Sequence, residues 1–486
     1  MLILRNVKLI PYLTEGYCDG PADIVMEGNR IQAIVPAGKA NVPKDAEVLE
    51  FSGKTALPGM LDLHMHLYFS TDNFAALGAK SQNDYIFDGI QYANEFLRQG
   101  FTTIRDCGNA FDVGLALRDA VNAGIISGPR IFTAGQCLSP YAKGNDTFPN
   151  LYCEVNTPEE ILKACRREHA KGVDFIKYMA TGSVANLNGE PGELITSREE
   201  LFALQSAVTA SGLYAGIHCH GKEAILLCAE AGIHTIEHAS MIDSECIDMI
   251  LRKNGQTAII PTLDPVVHLH RGEEGGALPA SIFASIEKVY AHTADLVTAT
   301  RAGVLTGWGT DSSHAFYASH VGYEFDARRE IGYTNEEMLK QATINGAKIL
   351  GLEQELGSIK VGKLADIIVV DGDPDENISV MQKYPVAFSR KADAACNERS
   401  RPCLRKRNTS KKVPSPSVEV VFPTRGSRRI SLSAMRQGMR MHQCSHFPIS
   451  VPILRKPQAV PCCSPGTVAL AAAACLSTWA CFLPCA

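Results

Sequence analysis

Two histidines separated by a single residue, His64 and His66, close the run GMLDLHMHL. On an extended strand, residues two apart project to the same face, so both imidazoles can reach one point, and imidazole is the commonest metal ligand. An HxH pair alone is equally compatible with two polar loop residues. The pair does not stand alone: His218 lies in IHCHG, His238 in TIEHAS and Asp311 in GTD, each where an apolar run gives way to loop-type residues. Lys177 sits in FIKYMATG among mostly apolar neighbours, where a lysine is costly to bury unless it is neutral or paired. A neutral amine there can capture CO2 as a carbamate, whose two oxygens can bridge two cations. The alternative is a lysine that snorkels to solvent or pairs with an acid.

These residues need a scaffold that brings distant strand ends together. Between Thr55 and Ser312, eight β-like runs (55–67, 101–108, 129–135, 175–182, 214–221, 235–240, 257–263 and 304–312) alternate with helix-compatible stretches. TPEEILKACRREHAKG opens with a Thr N-cap and a Glu three residues on, and SREELFALQSAVTASG ends at Gly, as capped amphipathic helices do. Strands joined by crossover helices form a parallel sheet, and eight such units predict an α/β (β/α)8 TIM barrel over residues 55–355. An open doubly wound sheet is the rival, but neither GxGxxG nor a P-loop follows the first run. In a barrel all the strand ends named above share one face, the face where catalytic groups gather. The flanking segments 1–54 and 356–388 alternate apolar and polar residues between Gly and Asp turns, which predicts a small accessory β-sandwich built from both.

The strings GMLDLHMHL, GFTTIRDCG, DFIKYMATG, IHCHG, TIEHAS and GTD, followed by ATINGAKILGL and GSIKVGKLADIIVVDGDP, resemble the amidohydrolase superfamily. Within it they look like the imidazolonepropionase-like, metal-dependent dipeptidase (prolidase-like) branch, over about residues 1–388. The resemblance implies a metal-dependent hydrolase that cleaves an amide or peptide carbon–nitrogen bond of a small substrate, a dipeptide or an N-acyl amino acid. It implies two divalent metals, one held by His64, His66 and Asp311, the other by His218 and His238, with carboxylated Lys177 and a hydroxide bridging them. His220 would lie close by as a substrate or oxyanion contact. General chemistry agrees: two cations about 3.5–4 Å apart generate hydroxide near neutral pH and polarise a carbonyl, and Asp311 can carry the proton to the leaving amine. Zinc suits the imidazoles, and the carbamate and carboxylate oxygens also accept manganese or cobalt.

Other residues have plainer readings. Alternation turns Tyr178 away from the Lys177 face, so it is expected to pack. His314 and His320 read as solvated loop histidines, and Arg105 with Asp106 as a structural pair. Where relatives of this type carry a Gly-Gly-His loop after the third strand, this chain has CLSPYAKGND, so Lys143 or Tyr141 is expected to take that place. Relatives also continue into one more strand of the form V-K-x-G-x-x-Y, which PVAFSRKADAACNERS abandons; the expectation is an unpaired edge on the accessory sheet. Two further functions compete. A mononuclear deaminase or imidazolonepropionase-type hydrolase would use His220 and Glu223 as an HxxE pair and would need no Lys177, and an inactive pseudoenzyme would use none of these groups.

Composition bounds these readings. The chain has 486 residues, 45% of them hydrophobic, which is a globular composition long enough for a large domain and a smaller one. Cutting at Ser389 leaves 31 Lys+Arg against 49 Asp+Glu before it and 16 against 3 after it, so the net charge of −5 divides into −18 and +13. An acidic body of that kind excludes a nucleic-acid binder. Eight cysteines up to Cys246 are scattered singly, with no CxxC, which is cytosolic thiol usage, and the N-terminus shows no secretory signal; a cytoplasmic location follows. Residues 389–486 are basic and Cys-rich and read as a frame-shifted or disordered tail. The apolar stretch 468–483 is shorter than the roughly 20 residues a membrane helix needs. A homo-oligomer is compatible with all of this.

Overall fold

In the computed structural model, which describes residues 1–16, 19–71, 73–185, 190–253, 257–272, 280–389 and 419–421, five strands come first: β1 (Leu2–Leu9), β2 (Ala22–Glu27), β3 (Arg30–Pro36), β4 (Glu47–Glu50) and β5 (Thr55–Pro58). The next strand, β6 (Met60–Met65), follows after one residue, so the run expected as a single strand over 55–67 is two. The break is at Gly59, where a Cβ would lie 2.2 Å from Thr102 Oγ1; only a residue without a side chain lets the backbone pass this close. β5 pairs with β1 and β15 and so belongs to the flanking sheet.

After β6 come β7 (Phe101–Asp106), β8 (Arg130–Thr133), β9 (Cys137–Ser139), β10 (Tyr152–Glu154), β11 (Ile176–Met179), β12 (Ala215–Cys219), β13 (Thr235–His238) and β14 (Ala258–Ile260). All pair in parallel, as β6-β7-β8 and as β10-β9-β11-β12-β13-β14. The third position is shared: β8 reaches β11 through Asp174 N to Thr133 O at 2.9 Å, and β9 continues beside β11 with Leu138 opposite Tyr178. The eighth run, expected as a strand over 304–312, bridges Ile259 through Thr306 and Thr262 through Gly309, and Leu63 N donates to Trp308 O at 2.7 Å. Those bonds return the sheet to β6 and give the TIM-barrel-like α/β fold.

Helices join the strands as the sequence predicts. Pro158–Lys171 begins where the Thr157 side chain accepts from Glu160 N and ends at Gly172 in the left-handed region, and Arg198–Ala210 starts with a Ser197/Glu200 capping box. The main core of the barrel and its helices is an apolar cluster that includes Phe96, Phe101, Trp308 and Phe325, with a separate cluster of Leu61, Leu63, Ala258 and Ile260 where β6 and β14 meet the eighth run.

The chain closes with β15 (Ile367–Val370), β16 (Val386–Ser389) and β17 (Glu419–Val421). These join the first strands in one mixed sheet of order β17-β16-β15-β5-β1-β2-β3, with β4 against β1. The edge expected to stay unpaired at β16 is paired: β17 runs antiparallel to it, Ala387 opposite Val421 and Ser389 opposite Glu419, so that among the described residues the edge moves out to β17. The segment VEVV supplies β-branched residues that suit a strand wherever a free ladder edge is offered. The rest of the expected tail, 390–418 and 422–486, lies outside the described residues. No helix among the described residues is long and apolar enough to cross a membrane.

Candidate metal centre

Five of the barrel's eight strand positions deliver the chemistry. His64 and His66 end β6, Lys177 stands on β11, His218 and His220 end β12, His238 ends β13, and Asp311 follows the eighth position. Alternation on β11 turns Lys177 inward and Tyr178 outward, where its hydroxyl lies 2.7 Å from Thr196 Oγ1, so Tyr178 packs as expected. His238 and Asp311 have φ of 69° and 53°, the left-handed region that residues with side chains rarely occupy.

Each imidazole is fixed from outside and leaves an atom facing inward. His64 Nδ1 donates to Glu237 Oε2 at 2.8 Å, so its Nε2 keeps the lone pair, 3.5 Å from Lys177 Nζ and 3.7 Å from Asp311 Oδ1. His66 Nδ1 donates to the Gly108 carbonyl at 2.8 Å, and its Nε2 lies 3.5 Å from Asp311 Oδ1. His218 Nε2 donates to the Gly182 carbonyl at 3.1 Å, leaving Nδ1 free of its proton, 2.9 Å from His238 Nε2. His238 Nδ1 pairs with Thr262 Oγ1 at 2.7 Å and His220 Nδ1 with Ser240 Oγ at 2.9 Å. His220 Nε2 and Asp311 Oδ1 are buried without a hydrogen-bond partner among the described residues.

Burial governs the protonation of these groups. It holds His66 and His220 down at about 3 and pushes His64, His218 and His238 well below the ordinary imidazole value. All five rings are therefore neutral, the form that ligates metal. Burial also raises the Asp311 carboxyl to about 7. Neutral imidazoles with inward lone pairs, a carboxylate oxygen without a partner and a lysine make a donor set that fits divalent cations. Among the described residues three groupings have the spacing to hold an ion, and two of them lie in this cluster: His64 with His238 and Asp311, and His218 with His220 and His238; the third is His64 with Cys107 and Glu237.

The layer beneath this cluster is where sequence reasoning fell short. Arg105 lies in the barrel interior and pairs with Glu237 rather than with Asp106: NH2 reaches the two carboxylate oxygens at 2.7 and 2.8 Å, and Nε reaches the Leu63 carbonyl at 2.6 Å. Asp106 instead accepts from Leu67 N, Asn109 and Thr133, pinning the loop after β6. Cys107 also falls near His64 and Glu237, but burial pushes its thiol up, which makes it an inert packing group. Glu223 is exposed on the helix Lys222–Ala231, so it cannot partner His220 in an HxxE pair. Tyr141 is exposed, and neither it nor Lys143 borders the cavity above the cluster; that loop contributes Phe148, Leu151 and Tyr152 instead. His314 and His320 do not border it either; the His320 ring stacks on Phe316 at 4.0 Å.

Residues 55–391 match the sequence model of the amidohydrolase family. The chain is 26% identical over 354 residues to the ochratoxinase of Aspergillus niger, covering 67% of this chain and 72% of that one. It is 24% identical over 388 residues to the imidazolonepropionase of Bdellovibrio bacteriovorus, covering 72% and 83%. Among solved structures, a Xaa-Pro dipeptidase with methionine bound in its active site superposes with a TM-score of 0.70 and 28% identity, covering 80% of this chain and 98% of that one.

Proposed function

We propose, from the premise that the chain belongs to the amidohydrolase family and its imidazolonepropionase- and prolidase-like branch, that it hydrolyses the amide bond of a small substrate at a centre holding two divalent metal ions. That it is a hydrolase acting on carbon–nitrogen bonds follows from the family and its named relatives. The observation that carries the two-metal reading is the convergence of five neutral imidazoles, Lys177 and Asp311, with Lys177 Nζ only 3.5 Å from His64 Nε2.

In this reading His64, His66 and Asp311 would hold one ion and His218 and His238 the other, with Lys177, carboxylated by CO2, as the shared ligand. Ions so held would supply a hydroxide near neutral pH and would polarise the scissile carbonyl. Asp311 Oδ1 accepts the proton of the attacking water and returns it to the leaving amine, a role suited to a carboxylate with no fixed hydrogen-bond donor. His220, whose ring lies 4.7 Å from that of His238 and nearly parallel to it, keeps a partnerless Nε2 and is read as the substrate or oxyanion contact beside that ligand. Glu237, Thr262 and the Gly108 and Gly182 carbonyls set the orientation of the ligand rings, and such outer partners fix which ring nitrogen is available. The mixed sheet has its own apolar core, including Leu4, Ile24, Ile367 and Val369, and we read it as the accessory β-sandwich. Zinc is the metal best matched to the imidazoles.

The test is release of amino acid from Xaa-Pro dipeptides and N-acyl amino acids by protein loaded with zinc, manganese or cobalt, with metal content measured alongside. Two ions per chain and metal-dependent turnover are expected. Folded, metal-loaded protein that cleaves none of these amides would overturn the reading.

A further inference from the structure

The cavity above the imidazole cluster, about 180 Å³ in volume, is polar at its floor and apolar on its wall. Its floor is His64, His66, Lys177, His218 and Asp311. Its wall comes from separate parts of the chain: Phe69 after β6, Phe148 and Leu151 after β9, Ile282 and Ile286 on the helix Ala280–Tyr290, and Phe316 on the helix His314–Ser319.

The wall is built and not incidental. Phe69 and Phe148 meet with ring centroids 5.4 Å apart, and Phe69 also lies 4.8 Å from the His66 ring, so the aromatic surface starts at a proposed ligand. Ile282 and Ile286 belong to an apolar cluster with Val266 and Val289, and Phe316 stacks on the His268 ring at 3.8 Å. Phe148, Leu151, Ile282, Ile286 and Phe316 are all buried, so they present fixed surfaces rather than mobile tips.

Such a wall discriminates by charge. An α-ammonium group carried into it would lose its hydration and meet hydrocarbon, whereas a ring of the substrate would gain both burial and ring–ring contact. Among the described residues bordering the cavity, the acidic and basic side chains are Lys177 and Asp311, which belong to the floor, and His268, whose Nδ1 is held by Asp264 and whose ring is stacked on Phe316. We infer that the substrate presents to this wall an uncharged, ring-bearing group, so that acylated amines with an aromatic acyl part are preferred over dipeptides with a free α-ammonium. The inference rests on the amide-hydrolase reading of the same site and names its substrate class.

Matched amides separate the two properties. 3-Phenylpropanoyl-L-proline and L-phenylalanyl-L-proline differ only in the α-ammonium, and propanoyl-L-proline lacks only the ring; glycine and phenylalanine replace proline in parallel series. With the metal-loaded full chain, kcat/KM is expected to be at least tenfold higher for the phenylpropanoyl compound than for either comparator. Ile282→Asp places a carboxylate in the wall and is expected to bring the phenylalanyl substrate level or ahead. Phe316→Leu keeps the wall apolar and is expected to narrow the ring preference while leaving the preference against charge. An equal or reversed order in the unsubstituted protein overturns the inference. If no amide is turned over, the hydrolase reading fails, and calorimetric binding of 3-phenylpropanoate against L-phenylalanine still decides the wall: tighter binding of the uncharged-chain ligand supports the inference, and equal binding overturns it.

Discussion

Replacing Glu237 with Gln is expected to weaken both the barrel interior and the metal site, by separable amounts. The Glu237 carboxylate accepts from His64 Nδ1 at 2.8 Å and from Arg105 at 2.7 and 2.8 Å, and none of the three side chains is more than 1% exposed. With no solvent to screen it, the Arg105 charge left without its partner costs about 3–5 kcal/mol; because glutamine keeps one oxygen in place, the lower end of that range is expected. A ligand imidazole that loses its carboxylate partner is expected to bind metal about 10–100-fold less tightly. The double variant Arg105→Met/Glu237→Gln removes the orphaned charge, so it should recover most of the stability but not the metal affinity. Urea unfolding of chelator-treated protein measures the first quantity, and competition with a chromophoric zinc chelator measures the second. Wild-type zinc affinity in Glu237→Gln would refute the idea that Glu237 orients a ligand. Recovery of affinity in the double variant would show that the loss came from instability alone.

Lys177→Ala should lower the metal content from two ions per chain to one or fewer and cut amide turnover by more than the roughly 10–100-fold typical of a residue that only supports a ligand; elemental analysis beside the activity assay checks both. His220, held at about 3 by burial, stays neutral in the folded state while the unfolded chain takes up its proton below about 6.5. Its contribution to stability is therefore full near neutral pH and is lost as pH falls. The unfolding free energy of metal-free wild type relative to His220→Gln should drop by about 2 kcal/mol between pH 7 and pH 5, and a pH-independent difference by urea unfolding would contradict the burial argument. Gly59→Ala brings a methyl 2.2 Å from Thr102 Oγ1 and 2.6 Å from its Cγ2, an overpacking expected to cost about 1–3 kcal/mol. Thr102→Ala beside it removes both of those contacts, and the thermal midpoint should partly recover.

The barrel was legible because its periodicity is simple: β runs that end in Gly, His or Asp, separated by stretches with Thr157 and Ser197 caps. What escaped the sequence were interruptions that no period marks. Gly59 reads as one glycine inside an apolar run, and only its approach to Thr102 reveals that the run changes sheets. The short strands β9 and β10, three residues each, are too brief to show alternation. The edge strand β17 lies in a segment whose composition resembles nothing else in the chain, yet an unpaired ladder on β16 accepts any extended, β-branched segment that reaches it. The expectation that β16 would be left unpaired failed because it was drawn from a missing motif and not from the backbone's capacity to pair.

The site was legible to the extent that strand ends obey the two-residue period, and it was hidden where they do not. His64 with His66, and His218 with His220, follow the rule. Glu237 and His238 break it: neighbours on a strand should face opposite sides, yet Glu237 reaches His64 and His238 reaches His218 inside the same barrel. The left-handed turn at His238 makes this possible by redirecting the imidazole after Glu237 has already pointed inward. Such a backbone costs on the order of 1–3 kcal/mol and persists only where its surroundings hold it. Here the hold comes from Thr262 on the ring and from the pairing of Cys219 with His238 across β12 and β13. A strand of four residues thereby supplies both an imidazole and the carboxylate that orients a different imidazole, and straightening that turn would cost the site two of its supports at once.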